Sequence, residues 1–346
     1  MIDLRTDTLT PPTDEMWEAM RGARFGWAMK GEDRAVLDLE ALGADLTGKE
    51  SALIAPTCSM ANLLALLAQG ERGTQVVLEA TSHTVTSEGW GIAAVASLFP
   101  RLLVGRQGIP DATEVEAIIA EAGALGLPRT SVVCLENTHN NAGGIAISPA
   151  QTAEITEAAH RHGAAVHVDG ARLFNAALAL GVRAGDLTAT VDTVAISLNK
   201  GLCAPVGALL CGRRDTIDAA RGHARRLGAA SMHKVGILAA AGIVALTTMV
   251  DRLADDNRRA ALLADRLRGM AGLHVDWTGV RTNIVFAELQ ETAPSAEELA
   301  RRLEARGVLA YVRPGRKVRF VTHRLIDDGA IALAAAATYA ALSEGT

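Results

Sequence analysis

HVDGARLFNAA, residues 167–177, and SLNKGLCAPVG, residues 197–207, stand about thirty residues apart and set an acid, Asp169, ahead of a lysine, Lys200. The run GAAVHV at 163–168 reads as a short apolar strand with Asp169 at its carboxyl end. TVAISL at 193–198 reads as a second, running into Asn199 and Lys200. In an open parallel sheet the crevice at the carboxyl ends of the strands is where ligands bind, so two such tips can face one ligand. Taken singly, Asp169 also reads as a helix or turn cap and Lys200 as a solvated loop residue. The segment after Lys200, GLCAPVGALLCG, weighs against that, because it offers little to solvate an ammonium. An amine and a carboxylate so placed are what pyridoxal phosphate requires: a lysine to form its resting imine, and an acid to keep its ring nitrogen protonated.

Outward from these strands, the chain alternates. QVVLEA at 75–80 and SVVCLEN at 131–137 read as strands. DATEVEAIIAEAGALG at 111–126 reads as a helix capped by Asp111, and SPAQTAEITEAAHRHG at 148–163 as one capped by Ser148, with Pro149 in its first turn and Gly163 as terminator. Such alternation predicts an α/β fold with a mainly parallel sheet covered on both faces. Beyond Lys200 the pattern changes. Residues 232–267 read as long and helical, and HVDW, NIVFAEL, VLAYV and KVRFVTH read as short strands around the helix SAEELARRLEARG, which predicts a smaller C-terminal α+β domain. The division expected is an N-terminal segment and large domain over 1–245 and a small domain over 246–346. No repeat, low-complexity tract or extended linker interrupts it.

Composition bounds the rest. With 346 residues, 49% hydrophobic but only 3% aromatic, the chain has an interior packed by Ala, Leu and Val. No uninterrupted apolar run reaches the roughly 18 residues of a membrane span, and MIDLRTDTLT carries charges where a signal peptide is apolar, so a cytoplasmic location is expected. Cys58, Cys134, Cys203 and Cys211 lack metal-ligand spacing and lie in apolar sequence, which predicts reduced thiols and no metal site. A net charge of −5 without a sustained basic block argues against nucleic acid. The short basic stretch at 221–226 reads as a solvated helix face or a subunit contact.

The chain resembles the low-specificity threonine aldolases of the β-eliminating lyase group, pyridoxal phosphate enzymes of the aspartate-aminotransferase fold (fold type I). The resemblance runs nearly end to end, through DLRTDTLTPPT, GEDRAVLDLE, APTCSMANLLAL, LENTHNNAGG, HVDGARLFNAA, SLNKGLCAPVGALL, GILAAAGIVAL, TNIVFAEL and RFVTH. It implies that Lys200 is the imine lysine, Asp169 the partner of the pyridinium nitrogen and His83 the histidine stacked on the cofactor ring. Thr57, Cys58 and Ser59 match the segment around the phosphate, where the start of the helix SMANLLALLA offers N–H groups to an anion; an ordinary N-cap by Thr57 or Ser59 uses the same groups. Glu88 joins the cofactor-binding set. For the substrate carboxylate a guanidinium suits best, and Arg172 and Arg319 are the candidates, with Thr6 a lesser contact; for Arg319 the competing reading is a strand-edge surface charge. Glu136, Asn137 and His139 lie at another strand tip. His139 matches a histidine close to the substrate β-hydroxyl, although Asn140 and Asn141 also suit a plain turn.

The reaction implied is retro-aldol cleavage of a β-hydroxy-α-amino acid to glycine and an aldehyde, with His83, His139 or a water between them as base. Two other readings stand beside it: another bond broken at Cα, giving racemisation, β-elimination or amino transfer, or a cofactor-binding regulatory protein. The resemblance also implies a homo-oligomer, dimer or tetramer, with pocket residues shared between subunits. Three departures from the family pattern touch the site. Cys58 stands at a usual glycine, Lys30 at a usual tyrosine, and LGAASMHKVG puts His233 and Lys234 where an arginine is usual. They predict a substrate other than simple threonine, one with a bulkier or an acidic β-substituent that Lys30 meets.

Overall fold

The computed structural model describes residues 1–230 and 232–344; Ser231, within LGAASMHKVG, lies outside the described residues. A two-residue strand, β1 (Ile2–Asp3), opens the chain. The largest sheet contains β2 (Ser51–Ala55), β3 (Gln75–Glu79), β4 (Phe99–Leu103), β5 (Thr130–Glu136), β6 (Ala165–Gly170), β7 (Thr193–Ser197) and β8 (Ala208–Gly212), in the order β2-β8-β7-β6-β5-β3-β4. Pairing is parallel from β4 through β7, and β8 runs antiparallel to both of its neighbours. Strands β2, β3, β5, β6, β7 and β8 are almost wholly buried, as expected of a sheet covered on both faces.

The helices on this sheet start where capping chemistry places them. The Asp111 carboxylate accepts the N–H groups of Thr113 and Glu114 ahead of Ala112–Ala124. Ser148 and Gln151 form a reciprocal capping box at Pro149–Arg161, and Gly163 follows that helix at φ +71°, a conformation that favours glycine.

Residues 232–267 form two helices, Gly236–Thr248 and Leu253–Leu267, bent by 65° across the break, where the sequence reads as one helical stretch. The cause lies in what each buries. Ala239, Ala241, Ala245 and Leu246 pack into the core of the large sheet, whereas Ala260, Leu263, Ala264 and Leu267 pack into a second core. That second core lies on a four-stranded sheet of β9 (Leu273–His274), β10 (Ile284–Leu289), β12 (Tyr311–Arg313) and β13 (Lys317–Val321), in the order β12-β13-β10-β9. VLAYV, read as one strand, is divided at Ala310: β11 (Val308–Leu309) pairs with β1, and β12 pairs with β13. The first residues therefore join the C-terminal core, where Leu4 is fully buried. A last helix, Asp328–Ser343, capped by Asp327, closes that core. Among the described residues no single helix is long and apolar enough to cross a membrane.

Candidate active site

The carboxyl ends of β5, β6 and β7 stand level, since Glu136 pairs with Asp169 and Asp169 with Ala195 across the ladder. Lys200 lies three residues beyond β7, in the connection to β8, and that loop is pinned from both sides. The Thr10 hydroxyl donates to the Lys200 carbonyl at 2.9 Å, and Arg252 donates to the Gly201 carbonyl at 3.4 Å. The half-buried Lys200 amine has no partner among the described residues, and its charge acts on Asp7, Cys58 and His83. One loop thus places the amine between the β6 tip and the N-terminal segment.

Asp169 is buried, and Asn62, inside the Cys58–Gln69 helix, governs how it is held. The Asn62 Nδ2 donates to Asp169 Oδ2 and to Glu88 Oε1, each at 2.9 Å. With both donors spent on carboxylates, Asn62 Oδ1 must accept, so His167 carries its proton on Nε2, 3.0 Å away. His167 Nδ1 then accepts from the Thr193 hydroxyl at 2.8 Å, and Thr193 accepts from Gln69 at 2.7 Å. Burial pushes the His167 pKa down to about 4, which keeps the imidazole neutral as this chain of donors requires. Cys58 places its thiol 3.7 Å from Asp169 Oδ1, and burial, reinforced by Asp169, raises its pKa well above the usual thiol range.

Glu88 accepts from His83 Nδ1 at 2.9 Å as well as from Asn62, so the imidazole is anchored through the amide that anchors Asp169. The Glu88 hydrogen bond, assisted by the Asp169 charge, raises the His83 pKa against the effect of burial. His83, Glu88 and Asp169 offer ligand atoms within 4.8 Å of one another, a spacing that admits a metal ion. Here the shared Asn62 amide already holds the two carboxylates together. Thr57 is the N-cap of Cys58–Gln69, accepting from Met60 at 3.0 Å. The first-turn N–H groups of Cys58 and Ser59 remain for an anion, since helix geometry gives them no carbonyl.

The three arginines of this region differ in one respect. Arg172 is buried and donates from Nε and Nη2 to the two oxygens of Asp7, each at 2.8 Å. Burial alone would raise the Asp7 pKa, and the Arg172 guanidinium more than reverses this, holding it well below the carboxylate range. Thr6 caps the short turn that carries Asp7, accepting from the Thr8 N–H, and so supports that ion pair. Arg319, on β13, has no carboxylate partner among the described residues: Nη1 donates to Asn140 Oδ1 at 3.1 Å, Nη2 to the Arg5 carbonyl at 3.0 Å, and the buried Nε to nothing. Burial first, then the charges of Arg172 and Arg313, push its pKa down to about 10. Arg313, on the neighbouring β12 and two residues along from Tyr311, the residue opposite Arg319, likewise lacks an acid among the described residues.

His139 lies beneath the site surface, with 0% exposure. Its Nε2 sits 3.0 Å from Glu79 Oε2 and 3.9 Å from Glu136 Oε2, and its Nδ1 has no partner among the described residues. Burial opposes charging this imidazole, and Glu136 and Glu79 outweigh it and raise its pKa. Lys30 is exposed, its amine 5.6 Å from the Trp27 ring. His233 and Lys234 line a cavity of about 290 Å³ with Gly26, Trp27, Ala28 and Met29, next to Lys30 in sequence. Asn62, Asp7 and Glu79 are absent from the sequence-based set. For Asn62 a signal exists: an asparagine inside an apolar helix is a buried polar group in need of partners.

Residues 3–292 match the family profile described as beta-eliminating lyase. The chain belongs to the beta-eliminating lyase family. This lyase-family chain is 37% identical over 329 residues to low-specificity L-threonine aldolase 1 of Arabidopsis thaliana, covering 94% of the chain and 92% of that protein. It is 38% identical over 323 residues to the low specificity L-threonine aldolase of Escherichia coli K12, covering 93% and 94%. Its fold superposes on the threonine aldolase of Leishmania major with a TM-score of 0.83 at 18% identity, covering 99% of this chain and all of that one.

Proposed function

We propose that this chain is a pyridoxal-phosphate-dependent carbon–carbon lyase that cleaves a threonine-like β-hydroxy-α-amino acid to glycine and an aldehyde. The observation that carries the reading is Arg319, a largely buried guanidinium with no acid partner among the described residues, which feels the charge of Asp7, the buried carboxylate on which the Lys200 amine also acts. A buried cation left unpaired is a site built for an anion.

The residues fit the cofactor. Lys200 supplies a free amine, Asp169 a carboxylate fixed by Asn62, His83 a ring to cover a π face, and Thr57, Cys58 and Ser59 a helix start for phosphate, with Glu88 steadying His83. When bound, the cofactor accepts the electron pair released at the substrate α-carbon. The chain's own residues do the rest. Arg319 orients the α-carboxylate, and Arg172, with Nε and one Nη2–H engaged by Asp7, has only its Nη1 hydrogens and the second Nη2–H left for it or for the cofactor. His83 donates Nδ1–H to Glu88, which leaves Nε2 as the atom that takes the β-hydroxyl proton; its side chain is 34% exposed against 1% for His139. General-base help of this kind contributes roughly two to four powers of ten in rate. His139 acts from beneath as a positioning residue, holding Glu136 and Glu79.

The same reading makes the enzyme a cytoplasmic homo-oligomer with shared sites, divided near residue 245. Support for the division comes from the two separate cores. Support for association comes from Trp17, Phe25, Trp27 and Met29, large apolar side chains exposed on one N-terminal stretch. Lys30, at the end of that stretch, then meets substrate only across a subunit boundary.

The test is to incubate the purified protein and cofactor with a panel of β-hydroxy amino acids and identify every product. Glycine with an aldehyde is expected; ammonia with the 2-oxo acid of the substrate's own carbon skeleton (pyruvate from serine), or a changed enantiomeric ratio alone, would replace this reading with β-elimination or racemisation. Lys200→Ala should lose both turnover and the visible absorbance of the bound cofactor.

A further inference from the structure

Strand β12 runs antiparallel to β13 with Tyr311 directly opposite Arg319. The Tyr311 ring carries two guanidinium groups, that of Arg319 at 5.0 Å from its centroid and that of Arg313 at 5.9 Å. Cation–π contact partly offsets the loss of hydration but neutralises neither charge. Neither arginine forms an ion pair among the described residues, whereas Lys317, the residue opposite Arg313, has Glu288 at 3.8 Å. The two are instead steered by adjacent amides of one turn: Arg319 donates to Asn140 Oδ1 and Arg313 Nη2 to Asn141 Oδ1. Like charges held this close repel, and Arg313 is one of the groups that lower the Arg319 pKa.

The direction in which the second cation lies is also fixed. Asn141, which accepts from Arg313, donates to the Thr81 carbonyl at 2.7 Å and sits 3.2 Å from the Thr86 hydroxyl. Thr86 closes the helical turn that begins at His83. Arg313 is therefore tied through Asn141 to the turn carrying His83, just as Arg319, which takes the α-carboxylate, is tied to it through Asn140 and Glu136, and the β-carbon with its substituent must lie beside that turn.

We propose that Arg313 and Arg319 form a doubly cationic subsite that selects β-hydroxy-α-amino acids bearing a second carboxylate on the β-substituent. The inference rests on the aldolase reading and narrows its substrate class. Two guanidinium groups that share one ring call for a ligand with two carboxylates, such as a four- or five-carbon diacid, and each then gains the anion that the protein itself withholds. The reaction is unchanged in its balance. The Cα–Cβ bond breaks, its electron pair stays with Cα and is later protonated to give glycine, and the β-hydroxyl loses its proton as it becomes the carbonyl of an aldehyde. Here that aldehyde carries the acid; with 3-hydroxyaspartate it is a two-carbon oxo acid. The acidic β-substituent expected from Lys30 is thus met by a cation within the same chain.

The experiment compares kcat/KM of the cofactor-loaded protein for 3-hydroxyaspartate, threonine and phenylserine, with glycine as the common readout. The acidic substrate should be favoured over threonine by about tenfold or more. Arg313→Gln should cut the ratio of acidic-substrate to threonine kcat/KM by about 10–100-fold, the change carried mainly by KM, and Arg313→Lys should restore part of it. The proposal is overturned if the wild-type protein prefers threonine or phenylserine, or if Arg313→Gln leaves that ratio where it was. Glycine released from threonine without an acidic preference sinks this proposal alone, whereas no glycine from any substrate sinks the aldolase reading beneath it.

Discussion

Glu136 Oε2 accepts the backbone N–H of His83 at 2.6 Å, and this bond ties the turn carrying the ring-covering imidazole to the tip of β5. The other oxygen, Oε1, accepts the N–H of Asn140 at 2.8 Å, and Asn140 in turn receives Arg319. One buried carboxylate therefore sets the distance between the histidine and the arginine that must act on the same substrate.

Replacement of Glu136 by Gln should disturb both ends, because an amide has one accepting oxygen and both carboxylate oxygens are in use. One backbone N–H is left unsatisfied, at a cost of about 1–3 kcal/mol. Thermal unfolding should show that loss, and kcat/KM should fall by roughly tenfold as His83 and Arg319 lose register. An unchanged melting temperature would mean that the bonds do not bear on the fold.

Asn62→Leu removes the donor shared by Asp169 and Glu88 and the acceptor for His167. Two carboxylates are then left facing each other without the amide between them. Cofactor affinity, followed by absorbance titration, should weaken by about tenfold or more. Asn62→Asp should bind it more weakly still, since it adds a third carboxylate at the same point.

Acid should destabilise the fold through His167. Its folded-state pKa of about 4 lies below the unfolded value of 6.5, so the unfolded chain binds the extra proton between those values. The contribution is fully present above pH 6.5 and is lost as pH falls toward 4; at 1.36 kcal/mol per unit it amounts to at most about 3 kcal/mol. Denaturant unfolding at pH 7 and pH 5 measures it, and a His167→Gln variant should show a shallower loss across that interval.

Asp7→Asn should destabilise by about 3–5 kcal/mol, because it leaves the buried Arg172 without its bidentate partner. The same change frees Arg172 to compete for the substrate carboxylate. If the variant unfolds at the wild-type denaturant concentration, the ion pair is not a structural support.

Much of the site was legible in the chain because its reactive groups end apolar runs. Asp169 lies at the end of β6 and Lys200 follows β7, and His83 and Glu136 follow or end β3 and β5, so period and punctuation alone place them at the carboxyl ends of one sheet. The bend between Gly236–Thr248 and Leu253–Leu267 was not legible, because both halves are apolar helices and the choice between two cores is made only when both exist. Nor was the pairing of β1 with β11, which joins opposite ends of the chain.

Local spacing and residue type were enough for the α/β alternation, the helix caps, the acid and the amine of the site and the family to which the chain belongs. Folding alone settled that Arg172 is engaged by Asp7 while Arg319 and Arg313 have no acid among the described residues, that His139 lies buried on Glu79, and that Asn62 joins two carboxylates. Whether a charge is spent on a neighbour or kept for a ligand depends on which groups folding brings within a few ångströms, and partners far apart in the chain leave no periodic trace in it.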